Sequence, residues 1–388
     1  MTDTQIHSAK IQRGENLKIG KNSFIKADEV ILGDDISIGD NVEIICEKLA
    51  LGNGCKIGDN TILLCNDIEL AEGSTIGNAV QAELNEYLRL GAHSVISNRV
   101  TIAGQGVSAG AFLWLKNDVI IGGGGSQGPN SYLKMGAHVA IMDKAFINLS
   151  EEVTIGDSSA LSCNVIVLTH GASQPLLMGY GAKFAPVTIG SNCALYINSV
   201  ILPGVNIGDY STIAAASLVN KDIPAYALAS GNPARVIVKG KGSYPRALEY
   251  VEIDEVMETV LTDYAATLKP KGLKIVSTIP GNNLVLTVVF EERTWTIIYF
   301  GNTPAKLPAE ALPDISLSYR EIPQSKQGNV HFDLKELRVT GDANLLSEDL
   351  RDYLRRRSIK VHSGQPFRTI PLSNLNKLKE KRKSMHKK

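Results

Sequence analysis

Aliphatic residues recur along the first half of the chain at a spacing that neither an α-helix nor an ordinary strand produces. Ile19, Ile38, Ile57 and Ile76 lie 19 residues apart, as do Leu32, Leu51 and Leu70, and Ile25, Ile44 and Leu63. Within one period the steps are six, seven and six residues. Glycine follows most members of the first two series, and a smaller residue sits four positions further on in several units: Ser23, Val42, Cys55, Thr61 and Ser74. A fixed short period is the mark of a solenoid. Each six-residue unit then makes one short strand and one corner, with the aliphatic pointing into a narrow three-sided interior and Gly or Asn taking the corner backbone. Coils stack about 4.8 Å apart through parallel backbone hydrogen bonds. The seventh residue puts Glu29, Lys48 and Asp67 in one row on a solvated edge. Cys46 and Cys65 stack one period apart, while Cys55 and Cys193 read as small interior fillers.

The pattern lapses at 78–89, resumes at Leu90, Ile96 and Ile102, and breaks at 104–134. That break holds Gly122 to Gly125, weak evidence for phosphate binding and better explained by a loop or distorted coil. It returns at Met135, Ile141, Ile147, Ile155, Leu161 and Val167, breaks at 171–186, and closes with Ile189, Leu195, Ile201, Ile207 and Ile213, six apart. The expected organisation is a solenoid domain over 15–240, an α+β domain over 246–372 and a basic, disordered tail over 373–388. In the second domain, 252–268 has helical spacing. Leu273–Ile279, Leu284–Phe290 and Trp295–Phe300 read as strands, two of them joined by a short hairpin, and Ser347 is positioned to cap a second helix.

Composition narrows the reading. Lys and Arg total 40 against 40 Asp and Glu, which excludes a generally basic nucleic-acid coat. No apolar run reaches the roughly 18–20 residues that span a bilayer, and the first residues lack a secretory core; a cytoplasmic location is expected. Five cysteines without a C-x-x-C pair argue against a disulfide framework or a structural zinc. His93 and His138 each follow a coil aliphatic by three residues, a corner position, so no metal is expected.

The stretch Val187–Val238, with ILPGV (Ile201–Val205), IGD (Ile207–Asp209), AAASLVNKDIP (Ala214–Pro224) and SGNPARVI (Ser230–Ile237), resembles the hexapeptide-repeat acyltransferases. The similarity is to their galactoside/maltose acetyltransferase and sugar O-acetyltransferase branch. Upstream, VIVLTHG (Val165–Gly171) is similar to the family's strand ending in Thr-His. The resemblance implies a left-handed parallel β-helix, a homotrimer with sites between subunits, and acetyl-CoA as co-substrate. It also implies His170 as general base, since a neutral imidazole with pKa of about 6.5 can strip a proton from an attacking hydroxyl or amine at neutral pH. By motif, Ala215 would offer backbone contacts to the pantetheine arm, with Ser217 on the same turn. Asn220, Lys221 and Arg235 would lie toward the nucleotide phosphates. Ala194 stands where the family often has Trp, so an aromatic wall is missing or supplied by Tyr196. For the acceptor, Asn164 would bond a sugar hydroxyl, hold the imidazole, or simply form a corner; the excursion 171–186 behind His170 would cover the site, with Met178 and Tyr180 as candidate acceptor contacts.

The leading function is acetyl-CoA-dependent O-acetylation of a sugar or glycan precursor. N-acylation of a nucleotide-linked amino sugar needs the same base and groove. A non-catalytic solenoid scaffold and a solenoid metal hydratase are the remaining classes; the latter would want a His-x4-His pair, which the chain lacks. The domain beyond 245 is expected to serve acceptor binding or localisation, its basic tail either meeting an anionic partner or standing as a solvated extension.

Overall fold

The computed structural model describes residues 5–125, 128–279, 284–301, 313–324, 327–365 and 367–385. Two compact units divide the chain, Met1–Ala247 and Leu248–Lys388.

The first unit is a parallel β-helix. Short strands pair in parallel with their counterparts one coil away: Lys18–Ile19 with Ser37–Ile38, Phe24–Lys26 with Glu43–Ile45, and Glu29–Leu32 with Lys48–Leu51. Two residues per six-residue unit face inward. Ile38, Val42, Ile44, Leu49, Leu51, Cys55 and Ile57 are all buried, and Ser23, Thr61 and Ser74 are buried with them. The small inward position is therefore a real second row of the core. Its hydroxyls are satisfied by corner carbonyls, as when Ser23 Oγ donates to Gly39 O at 2.7 Å and Thr61 Oγ1 to Gly77 O at 2.9 Å.

Corners are tied by a polar ladder with the same period. Asp40 Oδ1 accepts from Lys21 N, Asp59 Oδ1 from Asp40 N and Asn78 Oδ1 from Asp59 N, at 2.6–2.9 Å. Asn22, Asn41 and Asn60 all take left-handed backbone, and their side-chain amides bond in series. The ladder brings backbones close: a Cβ on Gly39 would lie 2.3 Å from Asp59 Oδ1 and 2.8 Å from Asp59 N. Gly39→Ala is expected to lower solenoid stability by about 1–3 kcal/mol. It should appear as a lower midpoint in thermal unfolding, and an unchanged midpoint would contradict this packing.

Two expected interruptions are corrected. Residues 78–89 and most of 104–134 do not leave the coil. Gln81–Leu90 and Thr101–Ala109 are long strands that run across two faces and join them into one 19-stranded sheet, beside the 12-stranded third face. The glycine-marked corner is replaced by a register shift between Leu84 and Tyr87, which absorbs the bend. The inward set continues through Ala82, Leu84, Leu88, Leu90, Ile102, Val107, Leu113, Leu115, Val119 and Ile121. The true departures are the loop beginning at Gly122 and the excursion after Gly171.

In the second unit, helix α1 (Tyr250–Leu268) packs Val260, Leu261, Tyr264 and Leu268 into a core shared with a six-stranded mixed sheet. The hairpin between Val285–Phe290 and Arg293–Phe300 turns at Glu291 and Glu292, both left-handed. Lys274–Ile279 on one side of the hairpin and Ile315–Ser318, Val330–Asp333 and Arg338–Gly341 on the other complete the sheet. The cap of α2 (Leu345–Arg355) is Asn344, whose side chain accepts from Ser347 N, while Ser347 Oγ accepts from Asn344 N. Ser347 is thus the third helical residue of a reciprocal capping box, not the cap itself. The tail expected to be disordered carries α3 (Ser373–Met385), a stretch without Gly or Pro; Lys387 and Lys388 of that tail lie outside the described residues.

Candidate active site

His170 sits where the strand Ile166–Val167 gives way to a corner, and it pairs antiparallel with Phe184. The two-residue pairings His170–Phe184 and Gly171–Lys183 close the excursion 171–186 at its base. Phe184 stacks on the imidazole with ring centroids 5.5 Å apart and planes 15° apart.

The imidazole's orientation is set by the coil beneath. Asn148 is buried, and its Nδ2 donates to the carbonyls of Gly122, Gly123 and Gly124. That fixes the amide: Oδ1 must face the other way, where it accepts from Thr169 Oγ1 at 2.7 Å and lies 2.7 Å from His170 Nδ1. Ser150 Oγ donates to Gly124 O at 2.8 Å, which leaves its lone pairs toward His170 Nδ1, also at 2.8 Å. Both neighbours of Nδ1 are acceptors, so Nδ1 carries the proton and Nε2 carries the lone pair. This is the tautomer a general base requires. Thr169 Oγ1 braces the same corner by accepting from Ser150 N and Glu151 N.

Four glycines shape the approach. Gly122 to Gly125 all have positive φ, and a Cβ on Gly124 would lie 3.5 Å from His170 Cε1 and 3.9 Å from Nε2. Glycine at 124 keeps that side of the imidazole open. The weak phosphate-loop reading of this run gives way to a wall of the histidine corner.

The other expected site residues fall in different places. Asn164 is a left-handed, exposed corner residue at the opposite end of the Ile166–Val167 strand, its backbone N bonded to Asp143 O. It cannot hold the imidazole; Asn148 does. Met178 ends a short 3-10 turn, and both it and Tyr180 are exposed on the excursion. Ala215 is exposed at the corner before Ala216. Ser217 is buried, its Oγ accepting from Gly231 N at 3.1 Å, so its side chain belongs to the coil interior and not to a groove. Asn220, Lys221 and Arg235 are exposed, and Tyr196 stands half exposed two residues beyond Ala194. His93 and His138 take left-handed corner backbone; His138 stacks on Phe112 and His93 lies tilted against the same ring.

Asn148, Ser150, Thr169 and Phe184 were not singled out from the sequence. A signal existed: Asn148-Leu149-Ser150 follows the coil aliphatic Ile147 where a glycine corner is expected, one coil before Thr169-His170.

The bacterial transferase hexapeptide (six repeats) family model matches residues 186–221, overlapping the stretch that carried the resemblance. Galactoside O-acetyltransferase of Escherichia coli is 37% identical over 117 residues, 28% of this chain and 58% of that protein. A solved galactoside acetyltransferase in complex with coenzyme A is 32% identical over 35% of this chain and 65% of that one, with a TM-score of 0.27. A maltose O-acetyltransferase structure from Clostridium difficile is 26% identical, covering 32% of this chain and 68% of that one, with a TM-score of 0.24. The chain spans between 54% and 61% of the length of the curated relatives it matches over about 100 residues. The likeness to hexapeptide-repeat acetyltransferases read from the sequence is borne out. No helix among the described residues is long and apolar enough to cross a membrane.

Proposed function

We propose that this protein transfers an acetyl group from acetyl-CoA to a hydroxyl of a sugar or glycan precursor, with His170 as general base. The observation that carries the reading is the fixed tautomer. Asn148 and Ser150 hold Nδ1–H, and Nε2 is left to take the acceptor's proton. As the acceptor oxygen bonds to the thioester carbonyl carbon, its proton passes to Nε2; the carbon–sulfur bond then breaks and Nε2–H gives that proton to the leaving sulfur, so coenzyme A leaves as its thiol and the imidazole is neutral again. The names of the similar proteins supply the donor and acceptor classes. Exposed Lys221 and Arg235 suit the phosphates of coenzyme A. Calorimetry with acetyl-CoA tests the donor: binding is expected, and its absence would favour a non-catalytic scaffold. Parallel incubation with hydroxyl and amino sugars separates O- from N-acetylation.

We further propose a homotrimer. Leu176, Leu177, Met178 and Tyr180 stand exposed on the excursion beside His170, an apolar cluster suited to a second copy of the chain. Light scattering that found only monomer at micromolar concentration would contradict this.

The unit beyond Leu248 is assigned to acceptor binding or localisation. A chain ending at Lys241 is expected to trimerise, bind acetyl-CoA and acetylate a small surrogate sugar. Trimerisation without transfer to any acceptor would show that the later unit supplies part of the site.

A further inference from the structure

From the histidine corner an aromatic strip runs back along one face of the solenoid. Tyr87, Gly106 and Tyr132 occupy successive rungs in register, and Leu133 pairs with Val153, which places Glu152 on the next rung after Tyr132. Glu152 lies two residues from Ser150, the hydrogen-bond partner of His170. At about 4.8 Å per rung the strip extends on the order of 15–20 Å from the imidazole's corner.

Three features show that the strip is built. The register shift between Leu84 and Tyr87 is a local irregularity that re-aims Glu86 and Tyr87, which a regular coil would not do. Gly106 makes room between the tyrosines: a Cβ there would lie 2.7–2.9 Å from three atoms of the Tyr87 ring. The rings of Tyr87 and Tyr132 are consequently near-parallel, 25° apart with centroids at 6.0 Å. The Tyr132 hydroxyl is fixed by Glu86 at 2.7 Å.

The polar surroundings select the ligand. Arg89 is paired with Asp67 and Lys134 with Glu152, so the two cations are internally compensated. Among the described residues, Glu86 and Glu151 are bonded to neutral donors in the strip, Tyr132 Oη and Asn130 Nδ2. The net charge is negative, which disfavours phosphorylated or carboxylated ligands. The two tyrosine rings are partly exposed, with the Arg89 guanidinium 4.8 Å from the Tyr87 centroid and Lys134 Nζ 5.6 Å from that of Tyr132; ring surface edged by paired cations, carboxylates and amides matches the C–H faces and hydroxyl edges of neutral pyranoses.

We propose that the Tyr87–Tyr132 strip is a binding site for a neutral oligosaccharide chain, whose end it directs toward His170. The direction toward His170 rests on the acetyl-transfer reading above; the binding site does not. Calorimetry on the full chain, without acetyl-CoA, tests it with maltotetraose, cellotetraose and chitotetraose. At least one is expected to bind with a dissociation constant below about 1 mM. Tyr132→Ala should weaken that binding by about three- to ten-fold, while Tyr132→Phe, which keeps the ring, should retain most of it. Circular dichroism melting confirms that both variants are folded. If no tetrasaccharide binds, or if folded Tyr132→Ala binds like the unaltered protein, the proposal is overturned. Tetrasaccharide binding at Tyr132 in a protein that transfers no acetyl group would leave this site standing and refute the catalytic reading instead.

Discussion

His170→Ala is expected to lower acetyl transfer by about 10²–10⁴-fold while leaving acetyl-CoA affinity nearly unchanged. The magnitude is the usual worth of a positioned general base. The sparing of affinity follows from the proposed role, in which the imidazole acts on the acceptor's proton and not on the donor. The substitution should be tolerated by the fold: the side chain is only half-buried, and Asn148 Oδ1 and Ser150 Oγ keep partners in Thr169 Oγ1 and Gly124 O when Nδ1–H is removed. Steady-state kinetics paired with calorimetry check both halves. Unchanged turnover would remove His170 from the chemistry, and a large loss of acetyl-CoA affinity would place it on the donor side.

Asn148→Ala should reduce both turnover and stability. The amide joins two structures, donating to the glycine loop and accepting at the histidine corner. Its removal takes a partner from the Gly122 carbonyl and from the Thr169 backbone N–H, at about 1–3 kcal/mol for the unsatisfied groups. Losing one of two acceptors at Nδ1 also weakens the preference for the productive tautomer, so turnover is expected to fall by about 10–10²-fold. A structural role alone would lower stability without changing the pH dependence of kcat. A positioning role should also shift that profile, because imidazole ionisation is coupled to its Nδ1 partner. Ser150→Ala, which retains Asn148, should show the same kinetic change in smaller measure.

Much of the solenoid was legible because its period is written in the large residues. One aliphatic per six residues, with a small residue four positions on, leaves few other ways to bury both rows. A corner need not carry glycine or asparagine, and the reading lapsed at two that do not, Ala79 and Phe112, while the aliphatic spacing carried it across Arg99, Lys144 and Tyr210. Ala79, Arg99, Phe112, Lys144, Tyr210 and Tyr226 all take left-handed backbone against their intrinsic preference, because the coil above and below dictates the turn. It failed again at 81–109, where two faces merge and the spacing of inward residues drops toward that of a plain strand. His170 was legible through its surrounding motif. Its supports were not, since Asn148 and Ser150 act across a coil and only the fold brings them to the imidazole. Asn164 attracted attention by nearness in sequence, but a single strand in this solenoid separates one corner from the next.

The second unit was read less completely for a related reason. Its helix and first three strands carry clear local patterns, whereas Val330–Asp333 and Arg338–Gly341 are short and lie next to polar turns. Their identity as strands comes from pairing within the sheet.

The central claim is direct transfer from acetyl-CoA to a sugar by a base that forms no bond to the acyl group. Mass spectrometry of the full chain incubated with acetyl-CoA and a panel of hydroxyl and amino sugars measures it directly. The account predicts an acetylated sugar and free coenzyme A in equal amounts, with the protein's own mass unchanged throughout. An acetylated protein that forms before any product, or no coenzyme A release above the protein-free rate with every sugar, would contradict it.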